Sequence, residues 1–169
     1  MAGHPLLNQV RSKNELITVN GKTYNIIISY NRVIGIEGYV VGLKFTDATG
    51  SMDSSKAAGA HGPTLANAVA YRAVQMIKPD LASISILGFY LLTEELEARR
   101  PGGGKAKIRI YRAHATTMHK NLIEKLQHLT EFEVDGGTAW AMSTKPYNAY
   151  EQFNLLEKEL AKQMRIILC

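Results

Sequence analysis

The sequence predicts one α/β domain of the α+β kind, with a mixed or antiparallel sheet and helices packed on it in the order βββαβ-α-α-βα. Three observations carry this expectation. Apolar residues alternate with polar ones from residue 15 to residue 46, which is the period of a strand with one face buried. A short, nearly continuous apolar run follows at residues 84 to 92, the mark of a strand covered on both faces. Two longer segments repeat apolar residues at steps of three and four, the period of a helix with one buried stripe. With 169 residues and 46% hydrophobic content, the chain is long enough to build one sizeable core without disulfides or metal. The expected division is an amino-terminal arm, residues 1–14, and a single domain, residues 15–169.

In the first third, Ile17 and Val19, then Tyr24, Ile26 and Ile28, then Tyr39, Val41, Leu43 and Phe45 recur at every second position. Between the first two groups stands Asn20-Gly21, whose residues tolerate the positive φ of a type I′ hairpin turn. Two or three antiparallel strands are expected. Residues 47 to 62 are small, polar and glycine-bearing, and read as a long loop, of the sort that is often functional or mobile.

Pro63 suits the first helical position, and Leu65, Ala66, Val69, Ala70, Ala73, Met76 and Ile77 follow at helical spacing, so a helix should end before Pro79. The run from Ile84 onward is the expected central strand. Thr93 has the chemistry of a helix cap, with Glu94, Glu95 and Glu97 near the positive end of the dipole and Arg99 and Arg100 near the negative end, so a short helix should stop at Pro101. After Gly102-Gly103-Gly104, the set Ile108, Tyr111, Ala115, Met118, Leu122, Leu126 and Leu129 predicts the longest helix of the chain. A strand from Lys105 to Tyr111 competes locally, because Ile108 and Ile110 also alternate. Phe132, Val134 and Ala139 to Met142 predict a strand or a hairpin about Gly136-Gly137, and a last helix should follow Pro146.

This order resembles the ribonuclease H-like fold, whose chain runs through three antiparallel strands, a helix, a buried strand, further helices, a strand and a terminal helix. The likeness covers residues 24 to 164 and lies in order and spacing. It implies a two-metal site built from carboxylates on the first strand, the first helix, the end of the buried strand and the last helix. Here the first such strand reads Ile26-Ile27-Ile28-Ser29-Tyr30-Asn31, the first helix has no acidic residue, and the buried strand carries Gly88 and Phe89. Only Glu151, Glu157 and Glu159 remain on the last helix. The resemblance therefore implies a relative without the metal site and without catalysis.

Chemistry points the same way. The formal charge of +5 favours polyanions. Arg99, Arg100, Lys105, Lys107, Arg109, Arg112 and Lys120 occur with no acidic residue between Glu97 and Glu124, and His114 and His119 add positive potential when protonated. On a helix, Lys105, Arg109, Arg112, Thr116 and Lys120 form a strip beside the apolar stripe that can track a phosphate backbone. The preceding glycines leave amides for a phosphate oxygen, and Tyr111, if exposed, offers a ring for stacking. The expected function is non-catalytic binding of RNA or single-stranded DNA, with the seven named cations holding phosphate.

Two alternatives belong to other classes. The loop Lys56-Ala57-Ala58-Gly59-Ala60-His61-Gly62 is similar to the pyrophosphate loop of acetyl-CoA-dependent acetyltransferases, which implies a small enzyme holding an acyl-CoA at residues 59 to 64; His61 in the final position and the missing amide of Pro63 depart from that family's pattern. The aromatic group Trp140, Tyr147 and Tyr150, with the apolar ending Met164 to Cys169, suits a protein-interaction module or homo-oligomer contacting through the last helix. No catalytic group, metal or cofactor is expected: His114 and His119 are five apart, poor spacing for joint ligation, Asp47 and Asp53 match no cation loop, and no serine sits in a nucleophile elbow. The lone Cys169 and the lack of a secretory or spanning apolar run suit a cytoplasmic protein with no membrane role.

Overall fold

The computed structural model of the chain describes residues 7–47, 62–91, 94, 97–98, 101–134, 136–146 and 149–150. Strand β1 (Leu7–Val19) turns into β2 (Lys22–Val33) through Asn20 and Gly21, at φ 51° and 78°. Both residues take the left-handed backbone the two-residue turn needs. The strand β3 (Tyr39–Asp47) completes an antiparallel meander. Residues Leu7 to Asn14 of the expected arm thus lie in β1, paired with β2 except at Val10, where the register shifts; beyond it Arg11 and Lys13 stand opposite Tyr30 and Ile28.

Helix α1 (Gly62–Ile77) leads through a 3-10 turn (Lys78–Ser83) into β4 (Ile84–Leu91), which pairs parallel to β3. The second helix, α2 (Gly103–Leu122), is followed by the hairpin β5 (His128–Val134) and β6 (Gly137–Ser143), joined at Gly136 with φ 76°. The resulting α+β architecture is a six-stranded mixed sheet in the order β1-β2-β3-β4-β6-β5. Among the described residues, only the β3–β4 pair is parallel.

Alternation explains the packing. Tyr24, Ile26, Ile28 and Tyr30 of β2 are all buried, while their neighbours Asn25, Ile27 and Ser29 are half-exposed. Beside them Leu43, Phe45 and Phe89 meet Val69 and Ala70 of α1 and Tyr111 and Met118 of α2. In β4 every residue but Ser85 is buried, so this strand is covered on both faces as its unbroken apolar run requires. Phe89 stacks on Trp140 of β6 with ring centroids 5.3 Å apart.

The edge strand is tied to α1 by charge. Asp80, in the 3-10 turn, receives Arg11 at 3.0 Å, Lys13, and the Tyr30 hydroxyl at 3.0 Å. The Lys13 ammonium also donates to the Met76 carbonyl at the end of α1, and Arg72 of α1 pairs with Glu15. Lys13, Arg11 and Tyr30 hold the Asp80 carboxyl at about 2, below its usual range.

Two expectations need correction. The helical stripe was expected to run on to Leu126 and Leu129, but α2 ends at Leu122; Leu126 is buried in the turn after it and Leu129 lies in β5. A step of four followed by a step of three also fits a turn leading into a strand. Of the two alternatives about Gly136-Gly137, a strand or a hairpin, the chain forms the hairpin, as β5 and β6, which adds one strand to the expected order. Most of the short helix at residues 93–100, the 48–61 loop and the last helix lie outside the described residues.

Candidate nucleic-acid interface

Residues 105 to 111 are helical. Ile108, Tyr111, Ala115, Met118 and Leu122 turn toward the sheet at steps of three and four, and burying that stripe outweighs the local alternation of Ile108 and Ile110. Beside the stripe, Lys105, Arg109, Arg112, Thr116 and Lys120 are all exposed on one face. Neither α1 nor α2 contains an Asp or Glu.

The cations of the strip differ. Lys105, Arg109 and Lys120 form no ion pair within 4 Å among the described residues, and the Lys105 charge also helps hold the Glu97 carboxyl low. Arg112 is held by Glu131 of β5, its Nε and a terminal nitrogen each 2.8 Å from a carboxylate oxygen. Trp140 Nε1 donates to the same carboxylate at 2.7 Å, and Arg112 is the main reason the Glu131 carboxyl titrates low. Lys107 is half-buried, with its ammonium 5.9 Å from the centre of the Tyr111 ring. Arg99 and Arg100 lie outside the described residues.

Three supporting features are not as expected. The amide end of α2 is already closed: Glu97 accepts from Gly102 N at 2.7 Å and from Gly104 N at 3.0 Å. Those two amides hold its carboxyl below the usual range, so the place expected for a phosphate oxygen contains the chain's own carboxylate. Tyr111 is 2% exposed and cannot meet a base. His114 is buried beside Leu43, Phe45 and Phe89, and desolvation pushes its imidazole down to about 4, so it adds no charge near neutral pH. His119 is half-buried, and its Nε2 is buried without a hydrogen-bond partner among the described residues.

The competing sites fare differently. Of the glycine loop, Gly62, Pro63 and Thr64 open α1, and residues 59–61 lie outside the described residues. In the aromatic corner, Trp140 and Tyr150 are buried, and the Tyr150 hydroxyl is 2.7 Å from Thr144 Oγ1 and accepts from Lys145 N at 3.3 Å. These two therefore pack rather than present a surface; Tyr147 and the last helix, with Glu151, Glu157 and Glu159, lie outside the described residues. Among the described residues, no three His, Cys, Asp or Glu side chains are grouped to hold a metal ion, and no helix is long and apolar enough to cross a membrane.

Tyr71 was not singled out by the sequence pattern, and it is the most exposed aromatic side chain among the described residues, at 69%. Its signal was its position: it falls outside the apolar stripe of an otherwise regular amphipathic helix. Comparison with protein-family models, with curated proteins and with solved structures gives no match for this chain.

Proposed function

We propose that this domain binds nucleic acid, RNA or single-stranded DNA, without catalysing a reaction, along the outer face of α2. The observation that carries the proposal is the exposed series Lys105, Arg109 and Lys120, without an ion pair within 4 Å among the described residues, on a helix that contains no acidic residue. From Lys105 to Lys120 the strip is about 22 Å long at 1.5 Å per residue, enough to follow several phosphates. Arg112 joins the strip when a phosphate competes with Glu131 for its guanidinium. Contacts of this kind hold the backbone and read little sequence. The ribonuclease H-like resemblance enters only as element order, which carries no activity. A cytoplasmic location belongs to the same proposal, on the single cysteine.

Fluorescence anisotropy with labelled RNA, single-stranded DNA and duplex DNA across a salt series tests this reading. Binding that weakens steeply with salt and is lost when Lys105, Arg109 and Lys120 are changed to Ala supports it. A folded protein that binds none of the three at low salt overturns it.

A further inference from the structure

An open cleft of about 630 Å³ lies between α1 and α2. Tyr71 and Lys78 line one wall, Thr117 and Asn121 the other, and the buried side chains of Val74 and Met118 form its floor. On α1, Asn67, Tyr71 and Val74 stand at steps of four and three, so they share one face along the cleft, and Lys78 follows at the start of the 3-10 turn. A tyrosine on such a face would ordinarily lay its ring on the apolar floor. Here most of the ring stays in solvent, at the mouth of a cleft with no carboxylate in its walls.

We infer that this cleft receives the unstacked bases of a single-stranded nucleic acid, with Tyr71 as the ring on which a base stacks. The inference rests on the nucleic-acid reading above and narrows it from a charged strip to a site with a wall for bases. The chemistry of the walls fits that occupant. An aromatic face takes any base, and the cleft is of the size that small-molecule ligands fill. The Asn121 amide nitrogen donates to the Thr117 carbonyl at 2.8 Å, which leaves the Asn121 side-chain oxygen as an acceptor for a base amino group. Lys78, where α1 passes into the 3-10 turn, lines the cleft and places positive charge at that end of it. A duplex keeps its base faces stacked and offers nothing to the ring; a single strand offers both its phosphates to α2 and its bases to the cleft.

The test uses the full chain and two labelled twelve-nucleotide strands of equal charge, one of thymidines and one abasic, with Tyr71→Ala and Tyr71→Phe alongside the parent protein. The parent should bind the thymidine strand roughly ten-fold or more tighter than the abasic one. Tyr71→Ala should abolish that difference and leave the salt slope unchanged, and Tyr71→Phe should keep it. Thermal melts confirm that the variants fold, which an exposed ring permits. Equal, salt-dependent binding of both strands by the parent overturns the cleft inference and leaves the strip standing; failure to bind either strand overturns both.

Discussion

Acid should destabilise this protein through one buried histidine, and the size of the effect follows from its surroundings. His114 is 6% exposed and shares a small void with Leu43, Phe45, Val69, Phe89 and Met118, where a charged imidazole is poorly solvated. Its folded pKa of about 4 lies below the ordinary value of 6.5. A lowered folded pKa means that the unfolded chain takes up the proton first. The stability His114 contributes is therefore complete above pH 6.5 and is lost as pH falls toward 4. Carried from pH 7.5 to pH 5.0, the two pKa values give a loss of about 2 kcal/mol. Asp80, Glu97 and Glu131 all titrate below their ordinary values, so their losses fall mainly below that window. Urea unfolding of the parent should lose roughly 1 M in midpoint between pH 7.5 and pH 5.0. His114→Leu, which fills the void with an apolar group of similar size, should lose much less. A parent midpoint that is flat across this window, or a variant that keeps the full drop, refutes the reasoning.

Other outcomes follow from the same geometry. Asp80→Asn should lower stability by about 1–3 kcal/mol at pH 7, because Arg11, Lys13 and the Tyr30 hydroxyl lose their shared carboxylate; the gap should close as acid protonates the parent between about pH 4 and pH 2, as read by denaturant melts. Gly137→Ala should cost about 1–3 kcal/mol by overpacking, since a Cβ there meets the Tyr90 ring and the Leu91 carbonyl. Glu97→Ala should lower the Tm by removing the cap of α2, and should tighten nucleic-acid binding at low salt by uncovering the Gly102 and Gly104 amides. Glu131→Gln should release Arg112 and steepen the salt dependence of binding.

The parts of the fold legible in the sequence are those where one local rule had no competitor. Asn20-Gly21 could only be a tight turn between two alternating strands, and the run beginning at Ile84 was too short for a buried helix. Where two periods overlap, the residues alone did not decide. Ile108 and Ile110 suit a strand and Ile108, Tyr111 and Ala115 suit a helix, and the choice came from burial of the stripe under tertiary packing. Leu126 continued the helical spacing with no glycine or proline to stop it, so the end of α2 was invisible. At the candidate site, the exposure of Lys105, Arg109 and Lys120 was readable from helical spacing. Their long-range neighbours were not: nothing in the sequence near Arg112 announces Glu131, nineteen residues on. Glu97 was readable as a dipole charge, but its bonds to Gly102 and Gly104 depend on the turn between them. Tyr71 has no signal in the sequence alone beyond its position, because an aromatic outside the apolar stripe gains meaning only when a second helix leaves a cleft beside it.

The proposed hold of the outer face of α2 on a nucleic-acid backbone is read most directly from the slope of log affinity against log salt for a single strand. Replacing Lys105, Arg109 and Lys120 together by Ala should make the slope shallower by about 2, at about 0.7 for each phosphate no longer neutralised. A slope unchanged in the folded triple variant would place the charge contacts elsewhere and contradict the claim.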